Sequence, residues 1–221
     1  MQLAQKIVIA DDHPLFRAAL KQAVTQAVPG VAILEADTLA AVQERVEAHD
    51  DADLVLLDIH MPGAQGFSGL VFLRGQYPGI PVVVVSGSEE PQVMKRAIDY
   101  GASGFIPKSA PLEVISGAIV AVLQGEEWLP QEISDSLDDL VTEEDQKFAA
   151  ALASLTPQQF RVLTMLTEGL LNKQIAYELN VSEATIKAHV TAILRKLGVH
   201  SRTQAVIAAQ RLGVELPKPA V

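Results

Sequence analysis

Polar side chains able to carry out phosphoryl chemistry stand at the ends of short apolar runs in the first half of the sequence. They are Asp11, Asp12, Asp58, Ser86 and Lys108. Neighbouring carboxylates repel one another, and a hard divalent cation such as Mg²⁺ relieves that repulsion because it prefers oxygen ligands. The metal would also neutralise an incoming phosphoryl group, so that Asp58 could attack it and form an acyl phosphate. Lys108 would supply a point charge, and Ser86 a hydroxyl, to the phosphoryl oxygens.

The apolar runs before these residues predict parallel strands separated by helices. The strands are expected at Lys6–Ala10, Val31–Glu35, Leu54–Asp58, Val82–Ser86 and Gly104–Lys108, with helices near 14–28, 38–49, 66–77, 90–101 and 111–124. Regular alternation of strand and helix over about 125 residues is typical of one α/β domain. We therefore expect a five-stranded, doubly wound parallel sheet of the flavodoxin type. The carboxyl ends of its strands would gather the polar residues at one edge.

The two halves of the chain carry opposite charge. Residues 1–149 have a net charge of −14 and residues 150–221 have +4, within a total of −10. An acidic front and a basic tail usually have different partners. The absence of cysteine excludes disulfides, thiolate metal sites and cysteine nucleophiles. No apolar run approaches the roughly 18 residues of a membrane-spanning helix, so we expect a cytoplasmic protein without a membrane partner.

From Leu155 onward the pattern is helical only and predicts an all-α domain of four helices. The predicted helix caps are Thr156, Asn172, Ser182 and Ser201. In the helix after Ser182, the apolar stripe consists of Ile186, Val190, Ile193, Leu194 and Leu197. The opposite face holds Ala184, Ala188, Thr191 and Arg195, with Lys187 on its flank. A short helix, a tight turn and a longer helix of this kind favour a helix-turn-helix that enters the major groove of DNA.

The first half resembles the receiver domain of two-component response regulators. The matching motifs are Asp11-Asp12-His13-Pro14-Leu15-Phe16-Arg17, Asp58-Ile59-His60-Met61-Pro62-Gly63, Val85-Ser86-Gly87 and Phe105-Ile106-Pro107-Lys108. The resemblance implies a receiver over residues 1–127, in which a histidine kinase phosphorylates Asp58. It implies that the ligands of Mg²⁺ are Asp11, Asp12, Asp58 and the backbone carbonyl of His60. It further implies phosphoryl contacts from Ser86, Gly87 and Lys108, and a switch role for Phe105. We interpret His13 as a surface residue rather than a metal ligand.

The second half resembles the LuxR-type DNA-binding domain. The match includes Asn172-Lys173-Gln174-Ile175-Ala176, the run from Val181 to Val190, and Leu194-Arg195-Lys196-Leu197. The resemblance implies a domain over residues 151–221 that binds double-stranded DNA. The residues implied in DNA contact are Lys173, Thr185, Lys187, Ala188, Thr191 and Arg195. The last helix, about 202–212, would pair two copies as a homodimer on activation through Ala205, Val206 and Ala209.

An acidic connector, residues 128–150, joins the two predicted domains. Ile133, Leu137, Leu140 and Val141 recur at roughly helical spacing, so part of the connector is expected to form an amphipathic helix. The rest has the composition of a solvated tether. A second hypothesis is that this acidic stretch competes with DNA for the basic domain.

These patterns together predict a phosphorylation-controlled, DNA-binding transcriptional regulator. We expect no enzyme activity apart from self-phosphorylation and self-dephosphorylation of Asp58. Two alternatives stay open. A phosphohydrolase resembling haloacid dehalogenases also forms an aspartyl phosphate, although such enzymes have a second acid where this chain has His60. The other alternative is a receiver that acts by protein docking beside a vestigial DNA-binding domain.

Overall fold

The computed structural model describes residues 5–64, 66–130 and 143–211, without the side chains of Glu144, Gln210 and Arg211. Its first part alternates strands and helices. The elements are β1 Lys6–Ala10, α1 Pro14–Ala27, β2 Ala32–Ala36, α2 Leu39–Ala48, β3 Leu54–Asp58, α3 Ser68–Gln76, β4 Val82–Ser86, α4 Pro91–Asp99, β5 Gly104–Pro107 and α5 Leu112–Leu123. The predicted strands and helices are confirmed to within two residues at their ends.

The strands form one parallel sheet in the order β2-β1-β3-β4-β5. Every residue of β3 and β4 is buried, because helices cover both faces of the sheet. Residues of α1 and α5 pack on one face, and residues of α2, α3 and α4 pack on the other. This arrangement confirms the predicted doubly wound fold and places the end of β3 at the centre of one sheet edge.

A short extended segment after α5 extends the sheet beside β5. Trp128 forms a parallel bridge with Gly104. The Trp128 carbonyl accepts a hydrogen bond of 3.0 Å from the backbone N–H of Phe105, and the Trp128 N–H donates one of 3.2 Å to Ser103. Gly104 is required here, since a Cβ atom at this position would lie 2.9 Å from the Trp128 carbonyl oxygen. The connector therefore begins as a cover for the outer strand of the sheet.

The second part of the chain consists of helices only. They are α6 Glu143–Ala153, α7 Pro157–Thr167, α8 Asn172–Glu178, α9 Glu183–Leu197 and α10 Arg202–Arg211. The side chain of Thr156 caps α7 in a capping box with Gln159, and Ser182 caps α9. None of the described helices has the length and apolar composition needed to cross a membrane.

The predicted cap of α8 is wrong by one residue. Leu171 occupies the cap position, and Asn172 is the first residue of the helix. The reason is that the side-chain carbonyl of Gln174 accepts a hydrogen bond of 2.7 Å from the Leu171 N–H, so a side chain inside the helix already satisfies that backbone group. The predicted helical spacing of Ile133, Leu137, Leu140 and Val141 lies outside the described residues. Among the described residues, helix α6 spans Glu143–Ala153.

Candidate phosphoacceptor site and nucleic-acid interface

The register of the sheet brings the candidate phosphoacceptor and its acidic neighbours together. Ala10 pairs with Leu57, so Asp11 follows β1 beside Asp58, the last residue of β3. Both carboxylates are buried, with 0% of each residue exposed. A buried carboxylate requires a hydrogen-bond donor or a cation. The residue that follows β5 supplies a cation.

Lys108 is the cation that pairs with both buried carboxylates. It follows β5, and its backbone N–H donates a 2.8 Å hydrogen bond to the carbonyl of Ser86 at the end of β4. Its Nζ atom lies 2.6 Å from Asp11 Oδ2 and 2.7 Å from Asp58 Oδ2. The ring of Phe16 covers the same ammonium group, 4.9 Å from the ring centroid. Lys108 therefore neutralises part of the charge of both buried carboxylates.

The ion pair shifts both pKa values towards the charged forms. Burial raises the pKa of Asp58, but the nearby His60 and the ammonium group of Lys108 more than offset this and hold it below its ordinary value. Burial lowers the pKa of Lys108, but Asp11 and Asp58 raise it above its ordinary value. Asp58 is therefore an anion at neutral pH, as a nucleophile must be.

Four side chains at this edge offer ligand atoms within 4.8 Å of one another: Asp11, Asp12, His13 and Asp58. Oxygen donors from several carboxylates suit a hard divalent cation, so the residues present fit Mg²⁺. The structure also brings His13 to the cluster, with Nδ1 2.7 Å from Asp12 Oδ1. Sequence reasoning had assigned His13 to the surface, and its side chain is in fact 66% exposed. Its position directly after Asp11 and Asp12 is the signal that it lies at this edge.

The other predicted receiver residues lie on β4 and β5 or in the loops that follow β3 and β4. Ser86 is fully buried, and its Oγ accepts a 3.1 Å hydrogen bond from the Ser88 N–H. Gly87 is exposed and has no atom within 4 Å of an added Cβ. Phe105 is fully buried on β5. The N–H of His60 donates to Asp58 Oδ1 at 2.9 Å, while its ring Nδ1 lies 3.7 Å from the same oxygen.

Helix α9 presents the predicted DNA-contact face to solvent. Ile186, Ile193 and Leu197 are buried beneath it, as the apolar stripe predicted. The exposed residues include Lys173 on α8 and, on α9, Thr185, Lys187, Ala188, Thr191 and Arg195. Ser182 Oγ accepts a 3.1 Å hydrogen bond from the Thr185 N–H and fixes the start of the helix. The structure thus gathers these predicted residues on one accessible surface, and their role in DNA contact stays a prediction.

Helix α10 buries the two alanines that were expected to pair two copies. Ala205 and Ala209 are 0% and 3% exposed, because α10 packs them against the interior of the helical domain. Neither alanine is accessible in this arrangement, and their role in pairing two copies stays a prediction. Val206 is half-buried, whereas Ile207 is 52% exposed. Pairing of two copies through α10 stays a prediction, with Ile207 as the exposed apolar residue of this helix.

Two family models match the two parts of the chain. The response regulator receiver domain matches residues 7–120, and the luxR family of bacterial regulatory proteins matches residues 153–209. The first model covers the α/β sheet and the acidic cluster. The second covers helices α7 to α9 and most of α10. The boundaries of 127 and 150 that the sequence predicted are not tested by these matches.

Curated relatives share this organisation over nearly their whole length. The chain is 45% identical over 208 residues to the glycerol metabolism activator of Pseudomonas putida, covering 92% of this chain and 94% of that protein. It is 32% identical to the nitrate/nitrite response regulator protein NarP of Escherichia coli, covering 91% and 93%.

Solved structures agree with the fold. A LuxR family DNA-binding response regulator from Silicibacter pomeroyi is 35% identical, with a TM-score of 0.51, and covers 58% of this chain and 98% of the other. RcsB from Salmonella enterica serovar Typhimurium, bound to a promoter in the presence of a phosphomimetic, is 25% identical with a TM-score of 0.53. That match covers 94% of this chain and 97% of the other. The chain therefore belongs to the response regulators that join a receiver domain to a LuxR-type DNA-binding domain.

Proposed function

We propose that this transcription regulator is controlled by a phosphoryl group on Asp58. The observation that carries the proposal is the convergence of Asp58, Asp11 and Lys108 at the centre of one sheet edge, with the nucleophile buried and ionised. The Asp58 carboxylate oxygen attacks the phosphorus atom of a phosphohistidine or a small acyl phosphate. The new O–P bond converts the Asp58 side chain to an acyl phosphate. The bond between phosphorus and the donor breaks, and the donor leaves with its electron pair.

The surrounding residues have separate roles in this step. Mg²⁺ would be held by Asp11, Asp12, Asp58 and the backbone carbonyl of His60, and it would supply positive charge to the phosphoryl oxygens. Lys108 exchanges its contact with Asp58 for a contact with the phosphoryl group. Ser86 and Gly87 contact the same oxygens. The resulting movement of Ser86 changes the position of the Phe105 side chain. The chemistry of the chain is limited to self-phosphorylation and self-dephosphorylation.

The second domain reads DNA through α9. Ala188 and Thr191 are small enough to bring the helix close to base edges, while Lys187 and Arg195 contact phosphates. Lys173 and Thr185 position the domain on the backbone. Phosphorylation favours pairing of two chains, and linked DNA-binding modules gain affinity through effective concentration. A histidine kinase is the proposed donor.

The name of the relative with 45% identity suggests a first condition in which to test the chain. That protein is described as an activator of glycerol metabolism. We propose that this chain likewise activates genes, and that growth on glycerol is the condition in which its targets are transcribed. Deletion of the gene for this chain should then reduce transcription of those targets on glycerol and not on other carbon sources.

A selection of bound genomic fragments tests the proposal directly. Fragments of the native genome are incubated with the chain and Mg²⁺, with or without acetyl phosphate. We expect enrichment of a small set of fragments that acetyl phosphate strengthens, and we expect no strengthening for Asp58→Asn. Receiver docking without DNA binding, the remaining alternative, predicts no enrichment at all. The alternative that the chain is a phosphohydrolase has lost support, because the family that matches residues 7–120 is the receiver. That alternative predicts turnover of external phosphate esters.

A further inference from the structure

The receiver and the DNA-binding domain share one apolar core. Phe72 of α3 and Phe160 of α7 stack with ring centroids 4.1 Å apart and planes 19° apart. Both rings are almost completely buried, with 0% and 2% of each residue exposed. Each domain therefore covers an aromatic side chain of the other, and burial of two large apolar rings favours the docked arrangement.

A glycine allows the two backbones to approach closely beside this stack. Gly75 lies in the last turn of α3, and a Cβ atom there would lie 2.5 Å from Ala153 Cβ and 2.8 Å from Ala153 Cα. Next to it, the side-chain amide of Gln76 donates a 2.8 Å hydrogen bond to the Ala153 carbonyl. The end of α6 thus rests on α3 at a position where every larger residue clashes with backbone atoms.

Polar contacts extend the interface to α2. Gln43 is 2% exposed, and its Oε1 accepts a 3.2 Å hydrogen bond from Arg161 Nε on α7. Arg161 also lies 3.5 Å from Glu47. Between these elements lies a cleft of about 300 Å³ whose lining includes Glu44 of the receiver and Glu168 of the DNA-binding domain.

The interface also reaches the loop that follows the phosphoacceptor. Gly63 lies five residues after Asp58 and has a φ of +79°. A Cβ built on Gly63 would lie 3.2 Å from Thr164 Cγ2 and 3.6 Å from Glu168 Oε1, so this loop touches α7 directly. The loop after Asp58 is therefore part of the contact between the two domains.

The predicted reading face lies outside this interface. Lys187, Ala188, Thr191 and Arg195 are exposed while the receiver is docked. The contacts described above join the receiver to α6 and α7, whereas α9 packs on α6, α7, α8 and α10 of its own domain. Docking and DNA contact therefore use different surfaces of the same domain.

We infer that the receiver surface formed by Gly63, Phe72, Gly75 and Gln76, here called the docking face, binds the DNA-binding domain of its own chain in a form that reads DNA. The docking face holds the reading helix in a fixed orientation to Asp58 and leaves it accessible. This inference rests on the proposed reading of DNA by α9. It adds that release of the two domains is not required for DNA binding.

Cross-linking tests the docked arrangement in the full chain. The sequence has no cysteine, so Glu44→Cys with Glu168→Cys introduces the only two thiols, one on each side of the cleft. A short bismaleimide should give a cross-linked product at the mass of one chain. A product at the mass of two chains would overturn the inference, because the docking face would then bind a second copy. Absence of any cross-link would also overturn it.

A matched pair of glycine substitutions identifies the contact that matters. Gly75→Ala in the two-cysteine chain should reduce the cross-link yield at least about fivefold. Gly117→Ala is the control, because Gly117 also lies inside a helix and has no atom within 4 Å of an added Cβ. It should leave the yield unchanged. Equal yields for both substitutions would contradict the role of Gly75.

DNA binding by the cross-linked chain then tests accessibility. The probe is a genomic fragment selected by the wild-type chain. We expect the dissociation constant of the cross-linked chain to stay within about threefold of that of the uncross-linked chain. Loss of binding on cross-linking alone would overturn the inference and leave the proposed function intact. Failure of every form to select a fragment would overturn both.

Discussion

The Nζ atom of Lys108 lies 2.7 Å from Oδ2 of Asp58. The ammonium group favours the ionised form of Asp58 at this edge of the sheet. In the proposed site Mg²⁺ would bind the same carboxylates, so Lys108 and the metal would compete for Asp11 and Asp58. The effect of Mg²⁺ on the stability of the receiver measures this competition.

We expect Lys108→Met to lower the free energy of unfolding in the presence of a chelator by about 1–3 kcal/mol, because Asp11 and Asp58 lose their common partner while buried. Mg²⁺ should restore more stability to this variant than to the wild type, since the cation no longer competes with the ammonium group. Urea unfolding with and without Mg²⁺ measures both effects. Lys147→Met is the control, because Lys147 pairs with Glu143 at the surface and should change stability by at most about 0.5 kcal/mol. Equal Mg²⁺ effects in both variants would contradict the competition.

The same pair predicts a dependence on pH. The pKa of Asp58 is lowered from its ordinary value of 3.8, so its ion pair contributes full stability above that value. The contribution is lost as the pH falls through the lower pKa of the folded chain. In Lys108→Met the buried carboxylates lack the ammonium group that lowers the pKa of Asp58 in wild type, so the variant takes up protons at higher pH than wild type does. Without metal, the stability gap between wild type and Lys108→Met should therefore narrow as the pH falls from 7. A gap that stays constant down to about pH 3 would show that Asp58 does not carry it.

Trp128 should report the movement of β5 on phosphorylation. It is the only tryptophan of the chain, and its carbonyl accepts the 3.0 Å hydrogen bond from the N–H of Phe105. A change at Phe105 therefore alters the contact that places the indole ring. We expect a shift in tryptophan emission when acetyl phosphate and Mg²⁺ are added to wild type. Asp58→Asn should show no shift. Unchanged emission in a wild-type sample that carries phosphate by mass would refute the coupling.

Removal of the charge on Lys187 should weaken DNA binding through the phosphate backbone. We expect Lys187→Ala to lower affinity for every fragment tested and to reduce the salt slope of binding by about one unit. Lys147→Ala removes an equal charge from α6 and should leave the slope unchanged. Fluorescence anisotropy at several salt concentrations measures the slope. An identical slope for wild type and Lys187→Ala would argue against a phosphate contact by this residue.

The location of the candidate site was predictable from the sequence, because the order of the parallel strands tells which residues lie at the same edge of the sheet. Asp11, Asp58, Ser86 and Lys108 each follow a strand, and the carboxyl ends of adjacent parallel strands meet at one edge. The prediction that His13 is a surface residue is confirmed by its 66% exposed side chain. Exposure alone did not tell that its ring nitrogen approaches Asp12.

The contacts between domains carry no comparable signal in the sequence. The sequence pattern indicates only that Phe72 and Phe160 are core residues of their own helices. Nothing in their spacing shows that the two rings stack on each other. Gly75 gave no clear signal either, because Gly117 also lies inside a helix and has no close neighbour. Helical periodicity also placed Ala205 and Ala209 on one face of α10 correctly. It did not reveal whether that face packs inward or meets a second copy.

The covalent modification of Asp58 tests the central claim most directly. Wild type and Asp58→Asn are incubated with acetyl phosphate and Mg²⁺, and the intact mass of each chain is measured before and after hydroxylamine treatment. We predict a phosphate adduct on wild type that hydroxylamine removes, as expected for an acyl phosphate, and no adduct on Asp58→Asn. An adduct of equal yield on Asp58→Asn, or none on wild type, would contradict the account.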